Sequence, residues 1–512
     1  MVFTFLSALL LILSFPKFSF WPLAWFSFVP VFYAVRRQNS YAGAFGYFYL
    51  FGFLFFFASV EWLRHVAYFG WIFVATAYPV YFGLFGLAVH WFWKREQFFV
   101  SLFVLPSLWC VLEWIRAEIP VWGFGWNLLA YTQAFNLDIA SIASLIGAYG
   151  LSWMIVFANL AIFFILDFEF NRKKSEGVIA LVGIVSLALV FGIYFSYMGA
   201  GFKSVSNQPN IQNNQVRVAV IQGNIPQKEK WDPNYKLSIF ETHEQLSALI
   251  AGGKNKHVDL LIWPEAAYPG FFNVDSGKSR MFSLAKELQT PILFGGLHIE
   301  QLGTGIFRYF NSAYLIRPGS EEEERYDKVR LVSFGEYVPW RGFFNLFGLE
   351  RLAYSLGVSD FEPGTTIKTF LLDQAKKFSV LICFEDTFPN LARAAVSQGA
   401  QFLIVITNDA WFSKSAAPYQ HLEASIFRAI ENHVPVIRSA NTGVSAIITN
   451  QGVVLDRVHD KLGNDTFIAG GLSGAVFLSD GKTFYQAKGY QLPCFCLFFA
   501  AVGFILTLTV KK

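Results

Sequence analysis

Phe378-Ser379-Val380-Leu381-Ile382-Cys383-Phe384-Glu385-Asp386 reads as a strand that ends on a thiol and two carboxylates. It is apolar on both faces, the mark of a central strand covered on one side by helices and on the other by helices or a second sheet. Cys383 is also the only cysteine in a long polar stretch, because Cys110, Cys494 and Cys496 all sit inside apolar runs. It therefore has no disulfide partner within its own domain. A lone thiol at the end of an apolar strand suggests a nucleophile, and a buried structural cysteine is the plainer alternative.

Outward from this strand, similar apolar runs recur at 216–221, 260–263, 292–294, 402–407 and 436–439. They alternate with helical patterns at 236–250, 391–397 and 421–431, which predicts an α/β domain. Residues 444–449 and 453–458, joined by Asn450-Gln451-Gly452, read as a hairpin. At about 280 residues the stretch is large enough for its own core.

The rest of the chain is of another kind. Hydrophobic residues make up 54% and charged residues 15% of the whole, which marks an integral membrane protein. Charge-poor runs at 2–16, 18–35, 38–60, 66–93, 97–112, 139–166, 177–202 and 489–510 predict eight transmembrane helices. The first run lacks a basic leader and a small-residue cleavage site, so it reads as a helix and not as a signal peptide. Basic clusters follow every even-numbered span: Arg36-Arg37, Lys94-Arg95, Arg172-Lys173-Lys174 and Lys511-Lys512. Basic loops stay on the cytoplasmic side. Both termini are then expected to be cytoplasmic, with the polar domain on the outer face. The expected division is 1–202 (spans one to seven), 203–488 (the soluble domain) and 489–512 (span eight and tail). A net charge of +4 is accounted for by this orientation and gives no reason to invoke nucleic acid.

The eight histidines are scattered, with no HExxH and no Cys/His pair at ligand spacing, so neither a metal nor a cofactor is expected. There is no GxSxG elbow and no phosphate-binding GxxxxGK[ST] loop. Polar groups instead stand where apolar strands end. Glu265 closes Leu260-Leu261-Ile262-Trp263-Pro264-Glu265, Lys328 lies in Tyr326-Asp327-Lys328-Val329-Arg330, and Cys383 closes its own strand. Singly, a solvated Glu, a salt-bridged Lys and a turn-bracing Glu336 are the plainer readings. Together, a carboxylate base, a fixed ammonium and a thiol form an acyl-transfer set. The carboxylate takes the thiol proton, the ammonium offsets the developing oxyanion, and the protonated carboxyl serves the leaving group.

These residues carry a resemblance. Trp-Pro-Glu-Ala at 263–266, Asp-Lys-x-x-Leu-Val-x-Phe-Gly-Glu-Tyr-Val-Pro at 327–339 and Ile-Cys-Phe-Glu at 382–385 resemble the nitrilase (carbon–nitrogen hydrolase) superfamily. Set between membrane spans, they resemble the apolipoprotein N-acyltransferases. Further matching blocks are Glu113-Trp114-Ile115-Arg116, Trp122-Gly123-Phe124-Gly125-Trp126, Gly147-Ala148-Tyr149-Gly150-Leu151-Ser152, Gln222-Gly223-Asn224-Ile225-Pro226-Gln227 with Lys230-Trp231, Thr407-Asn408-Asp409-Ala410-Trp411-Phe412, Gln420-His421 and Arg438-Ser439-Ala440-Asn441-Thr442-Gly443.

The resemblance implies an αββα sandwich in the soluble domain and a ping-pong reaction in the outer leaflet of a bacterial inner membrane. Cys383 would take an acyl chain from a phospholipid, typically phosphatidylethanolamine, as a thioester. The α-amino group of a diacylglyceryl-modified N-terminal cysteine of an apolipoprotein would then accept it. The implied roles are base for Glu265, oxyanion stabiliser for Lys328, support for Glu336 and Glu385, and substrate contact for Trp231, Phe384 and Trp411. Ser333, Gly125 and Ser413 depart from the pattern, standing where Pro, Pro and Gly are common, which puts loop rigidity and substrate entry in question.

Two other readings compete. A membrane-tethered amidase or nitrilase would need one anchoring helix and no motifs in the loops between spans. A transporter or receptor would need intramembrane charges, and the spans offer almost none. Glu113 and Arg116, one helical turn apart, read by default as a charge pair and alternatively as a headgroup contact.

Overall fold

The computed structural model describes residues 1–171 (side chains of 168–171 excepted), 181–185, 188, 192, 214–252, 257–337, 360–480 and 482–509. Among the described residues, twelve strands form two six-stranded sheets. The first contains β1 (Gln215–Gln222), β2 (Leu260–Ile262), β3 (Ile292–Gln301), β4 (Phe307–Ile316), β5 (Glu323–Asp327) and, at its far edge, Gly470–Phe477. The second runs through β6 (Thr369–Leu371), β7 (Lys377–Ile382), β8 (Phe402–Thr407), β9 (Val436–Ala440), β10 (Ala446–Ile448) and β11 (Val454–Arg457); Gly470–Phe477 is then β12. The expected hairpin is present as β10–β11.

Strand periodicity explains why these runs are apolar on both faces. In β1, Val216, Val218 and Val220 face the core between the sheets, while Ala219 and Ile221 join a second core under the helices Lys236–Ala251 and Lys278–Leu288. The second sheet is covered by the helices Pro389–Ser397 and Ala417–Asn432. The latter is buried at every position except Tyr419, because it lies between its own sheet and the membrane-spanning domain. The result is an αββα sandwich.

Among the described residues, five helices are long and apolar enough to cross a membrane: Tyr41–Ser59, Tyr68–Lys94, Phe98–Glu118, Ala143–Asp167 and Gly489–Thr509. They correspond to the third, fourth, fifth, sixth and eighth expected spans. The first is a helix of only 13 residues, Val2–Ser14. The second is not one continuous helix, since it consists of a 3₁₀ turn, Trp21–Trp25, and a short helix, Val29–Arg36. Pro22 and Pro30 each stand in the first turn of one of these pieces, where the missing N–H is not needed. Of the expected seventh span only 181–185, 188 and 192 are described; the basic clusters 172–174 and 511–512 and the motif residues 338–339 lie outside the described residues.

Glu113 and Arg116 form a buried pair at 4.0 Å. Arg116 donates to the carbonyls of Phe124 and Trp126, both at 2.9 Å, and Glu113 accepts from the Leu129 N–H at 2.8 Å. The pair thus organises the loop that meets the soluble domain. In that loop, a Cβ at Gly125 would stand 2.5 Å from the Thr387 carbonyl oxygen, so only glycine permits the approach. The sandwich is further tied down by Trp62 Nε1 donating to Gln420 Oε1 at 2.9 Å and Arg330 Nη2 donating to the Glu118 carbonyl at 2.8 Å.

Candidate active site

The C-terminal ends of β2, β7 and β8 lie at one pole, beside the membrane-domain loop that carries Gly125 and Trp126, and this is where parallel strands usually present their chemistry. Glu265 follows β2. Its Oε2 accepts the backbone N–H of Asn408, just beyond β8, at 2.8 Å, and its Oε1 accepts from Asn311 Nδ2, on β4, at 2.8 Å. Lys328, just beyond β5, places Nζ 3.8 Å from Glu265 Oε1 and 2.8 Å from Glu336 Oε1. Burial by itself would push this amine down. Glu336, then Cys383 and Glu265, outweigh burial and hold it above the ordinary lysine range, so it is an ammonium at neutral pH.

Cys383 follows β7 with φ +53°, in the left-handed region that favours glycine. A non-glycine residue held there costs about 1–3 kcal/mol, so its surroundings must hold it in place. Burial, then Glu265, push its thiol well above the ordinary range, while Lys328 and a hydrogen bond with Thr407 act the other way. A thiol so raised rests protonated and needs a base to become a nucleophile.

The other expected residues divide. Glu336 is part of the cluster: Oε1 also accepts from Asn311 Nδ2 at 3.0 Å, and Oε2 accepts the Val332 N–H at 2.8 Å. Glu385 braces the backbone. It accepts the N–H groups of Val329 (2.7 Å), Arg330 (3.0 Å) and Ile382 (2.7 Å) and the Tyr326 hydroxyl, tying the residues after Lys328 to the one before Cys383. Burial pushes its carboxyl up to about 7 against the pull of those donors. Trp231 and Trp411 are exposed. Phe384 is half-buried, and its ring meets Phe388 edge-on at 4.8 Å. Of the departures, Ser413 adopts φ +52°, where glycine would be unstrained, and the Ser333 hydroxyl donates to the Val121 carbonyl of the membrane-domain loop.

Sequence reasoning missed several polar residues. Asn311 bridges both carboxylates, but it lies on β4, which the apolar pattern did not reveal. Lys230 is fully buried and donates to the Glu265 carbonyl at 3.0 Å; burial, only partly offset by Glu265, pushes it down to about 7. Beneath Cys383, His421 points Nε2 at Asp386 Oδ1 (2.8 Å) and the Cys383 carbonyl (3.2 Å), and Nδ1 at Asp409 Oδ1 (3.1 Å). All three neighbours are acceptors, so both ring nitrogens carry protons. Burial opposes this charge, but Asp386 outweighs it and, with Asp409, raises His421 to about 9 despite Arg438. Arg438 also binds Asp386 at 2.8 Å, and Trp126 of the membrane-domain loop packs on the imidazole with ring centres 5.1 Å apart. Lys230, Asp409, His421 and Arg438 all fall in the motif blocks; their burial was the part not legible.

Two family models match the chain: the apolipoprotein N-acyltransferase N-terminal domain over residues 7–161 and carbon-nitrogen hydrolase over 217–469. An apolipoprotein N-acyltransferase of Geobacter metallireducens is 36% identical, covering 97% of this chain and 93% of that protein. The chain belongs to the apolipoprotein N-acyltransferase family. A relative of that name from Haemophilus influenzae is 29% identical over 96% of this chain and 91% of its own length. Among solved structures, a mutant of a Nesterenkonia amidase from the nitrilase superfamily aligns with TM-score 0.39 at 19% identity, covering 56% of this chain and 97% of that one. Family membership gives the two halves one reason to be joined: Trp126 and Gly125 come from the half matched by the first model, and His421 and Thr387 from the half matched by the second.

Proposed function

We propose that the protein transfers an acyl chain from a membrane phospholipid, through a thioester on Cys383, to the α-amino group of the diacylglyceryl-modified N-terminal cysteine of apolipoproteins. Glu265 takes the Cys383 proton as sulfur attacks the acyl carbonyl, and Lys328 offsets the charge that develops on its oxygen. The protonated Glu265 then gives its proton to the departing lysophospholipid. In the second half, Glu265 accepts a proton from the incoming amine and returns one to the Cys383 thiol as the amide forms.

The observation that supports this reading most is the burial of Lys328 between Glu265 (3.8 Å) and Glu336 (2.8 Å), at the sheet ends beside the membrane-domain loop. A raised thiol beside a carboxylate suits proton-coupled attack. Lipid substrates suit a site at this pole, since each methylene lifted into water costs about 0.8 kcal/mol. Glu336 holds Lys328, Glu385 holds the two loops in register, and Trp231, Phe384 and Trp411 contact the acyl chain. Phosphatidylethanolamine is the proposed donor.

The proposed setting is the inner membrane with eight crossings, the domain at 203–488 on the periplasmic side and both termini cytoplasmic. The basic clusters support this orientation. Residues 2–36 contribute a packed pair of short helices, joined by Ser7 Oγ accepting the Val31 N–H at 2.9 Å.

Intact mass spectrometry after incubation with phosphatidylethanolamine tests the reaction. A hydroxylamine-sensitive acyl adduct is expected on the wild type and not on Cys383→Ala, and Glu265→Gln should form it slowly. An adduct that persists in Cys383→Ala, or none with any phospholipid, would overturn the thioester.

A further inference from the structure

A groove of about 620 Å³ runs along the helix Tyr68–Lys94. It is lined by Leu84, Leu87, Ala88 and Trp91 of that helix, by Leu108 of Phe98–Glu118 and by Phe504 of Gly489–Thr509. All three helices are long and apolar enough to cross a membrane, so the medium that meets the groove is hydrocarbon, as apolar as leucine itself. Leu84 is 43% exposed, which leaves the groove open along its side.

One end of the groove is polar. Arg95 lays its guanidinium 3.5 Å from the centre of the Trp91 ring, and its Nη1 donates to the Tyr41 hydroxyl at 3.4 Å. Lys94 Nζ stands 5.2 Å from the centre of the Tyr41 ring. Trp91 and Tyr41 both line the groove, so they hold the two cations at its mouth. Among the described residues neither cation has a carboxylate partner, even with Glu96 next in the chain.

This mouth lies at the end of the helices away from the soluble domain. Their other ends meet that domain: the Ser59 carbonyl accepts from Gln420 Nε2 and the Glu118 carbonyl from Arg330 Nη2, both at 2.8 Å. Tyr41 begins the helix that Ser59 closes, and Lys94 and Arg95 precede the helix that Glu118 closes. From Leu84 to Arg95 the helix rises about 16 Å at about 1.5 Å per residue. That is about half of a hydrocarbon core of about 30 Å, the depth of one leaflet.

A guanidinium, an ammonium and a phenol hydroxyl above an apolar trough match a lipid phosphate above its acyl chain. Charge then selects the headgroup. Two cations without carboxylate partners attract a headgroup whose only charge is its phosphate, and they repel the ammonium of a zwitterionic one.

We propose that this groove binds a phospholipid of net negative charge from the leaflet away from the soluble domain. Its phosphate sits on Lys94, Arg95 and the Tyr41 hydroxyl, and one acyl chain lies along Leu87, Ala88 and Leu108. Trp91 Nε1 also donates to Thr507 Oγ1 at 3.2 Å, so the lipid is seated where the last helix meets this one. The site takes no part in the proposed reaction, so the two fail separately.

The test mixes the full chain in detergent with phosphatidylglycerol or phosphatidylcholine of the same acyl chains and reads bound lipid by native mass spectrometry. The wild type is expected to favour phosphatidylglycerol by about tenfold. Lys94→Gln with Arg95→Gln should abolish that preference, and Leu87→Trp, which fills the groove, should abolish the bound lipid. Arg37→Gln is the control: Arg37 is another exposed cation at this end, next to Arg36, which pairs with Asp167. It should keep the preference. Equal binding of the two lipids, a preference that survives the double variant, or one lost equally in Arg37→Gln would overturn the site. So would a dimer of the chain that carries no phosphatidylglycerol. The charge variants lie at the surface and keep the test decisive should Leu87→Trp not fold.

Discussion

Replacing His421 with Gln removes the one cation that touches both Asp386 and Asp409 within 3.1 Å. Its imidazole titrates at about 9 in the folded protein against 6.5 in an unfolded chain. A gap of about 2.5 at 1.36 kcal/mol each gives about 3 kcal/mol. Because the folded value is the higher, this stability is fully present below pH 6.5. It drains away as pH rises, since the unfolded chain releases its proton first, and is gone above pH 9. For a domain of this size about 3 kcal/mol corresponds to about 6–12 °C in Tm. Lys230 has the opposite sign: its folded value of about 7 lies below the ordinary 10.5, so its contribution rises with pH over that range. The wild-type curve by itself therefore tests nothing, and the difference between wild type and His421→Gln isolates the imidazolium. Thermal unfolding in detergent from pH 6 to 10 should show the Tm gap shrinking by about 6–12 °C between pH 6.5 and 9.5. A gap that stays constant across that range would refute the buried imidazolium.

Three further outcomes follow from the same geometry. Lys230→Met should lower the rate of acyl-enzyme formation by about tenfold below pH 7 and by less above it, as the wild-type amine loses its charge; intact mass at a series of pH values reads the ratio. Glu385→Gln should cost about 1–3 kcal/mol, because an amide cannot accept from Val329, Arg330, Ile382 and Tyr326 together. Its Tm should fall, and alkylation of Cys383 by iodoacetamide should change in rate. Gly125→Ala should cost about 1–3 kcal/mol by forcing a methyl against the Thr387 carbonyl, and limited proteolysis should cut the 119–128 loop faster.

Much of the fold was legible where a local pattern is strong. The strands around 216–221, 378–383 and 402–407 were found because both their faces are apolar, and five long helices because few charges interrupt them. β4 was missed because Arg308, Asn311 and Ser312 break its alternation; only pairing with β3 makes that sequence a strand. The span expected at 18–35 is apolar throughout, yet it forms a 3₁₀ turn and a short helix. For the site, Glu265, Lys328 and Cys383 stand beside recognisable strand ends. Asn311 and the Asn408 N–H carry no local signal, since their role is defined by a carboxylate 46 and 143 residues away. Glu336 and Glu385 were named as support, but not how they differ: one holds the ammonium and the other holds backbone.

The sequence by itself determined the chemistry available: a thiol, a carboxylate and an ammonium at the ends of apolar strands, in a chain whose remaining length is built for lipid. Tertiary structure decided what those groups are. It buried Lys328 between two carboxylates so that it stays charged, pushed the Cys383 thiol up, and turned His421 into an imidazolium under the Cys383 carbonyl. The physical reason is that charge state depends on solvation and on neighbours within a few ångströms, and here those neighbours arrive from strands and loops far apart in the chain.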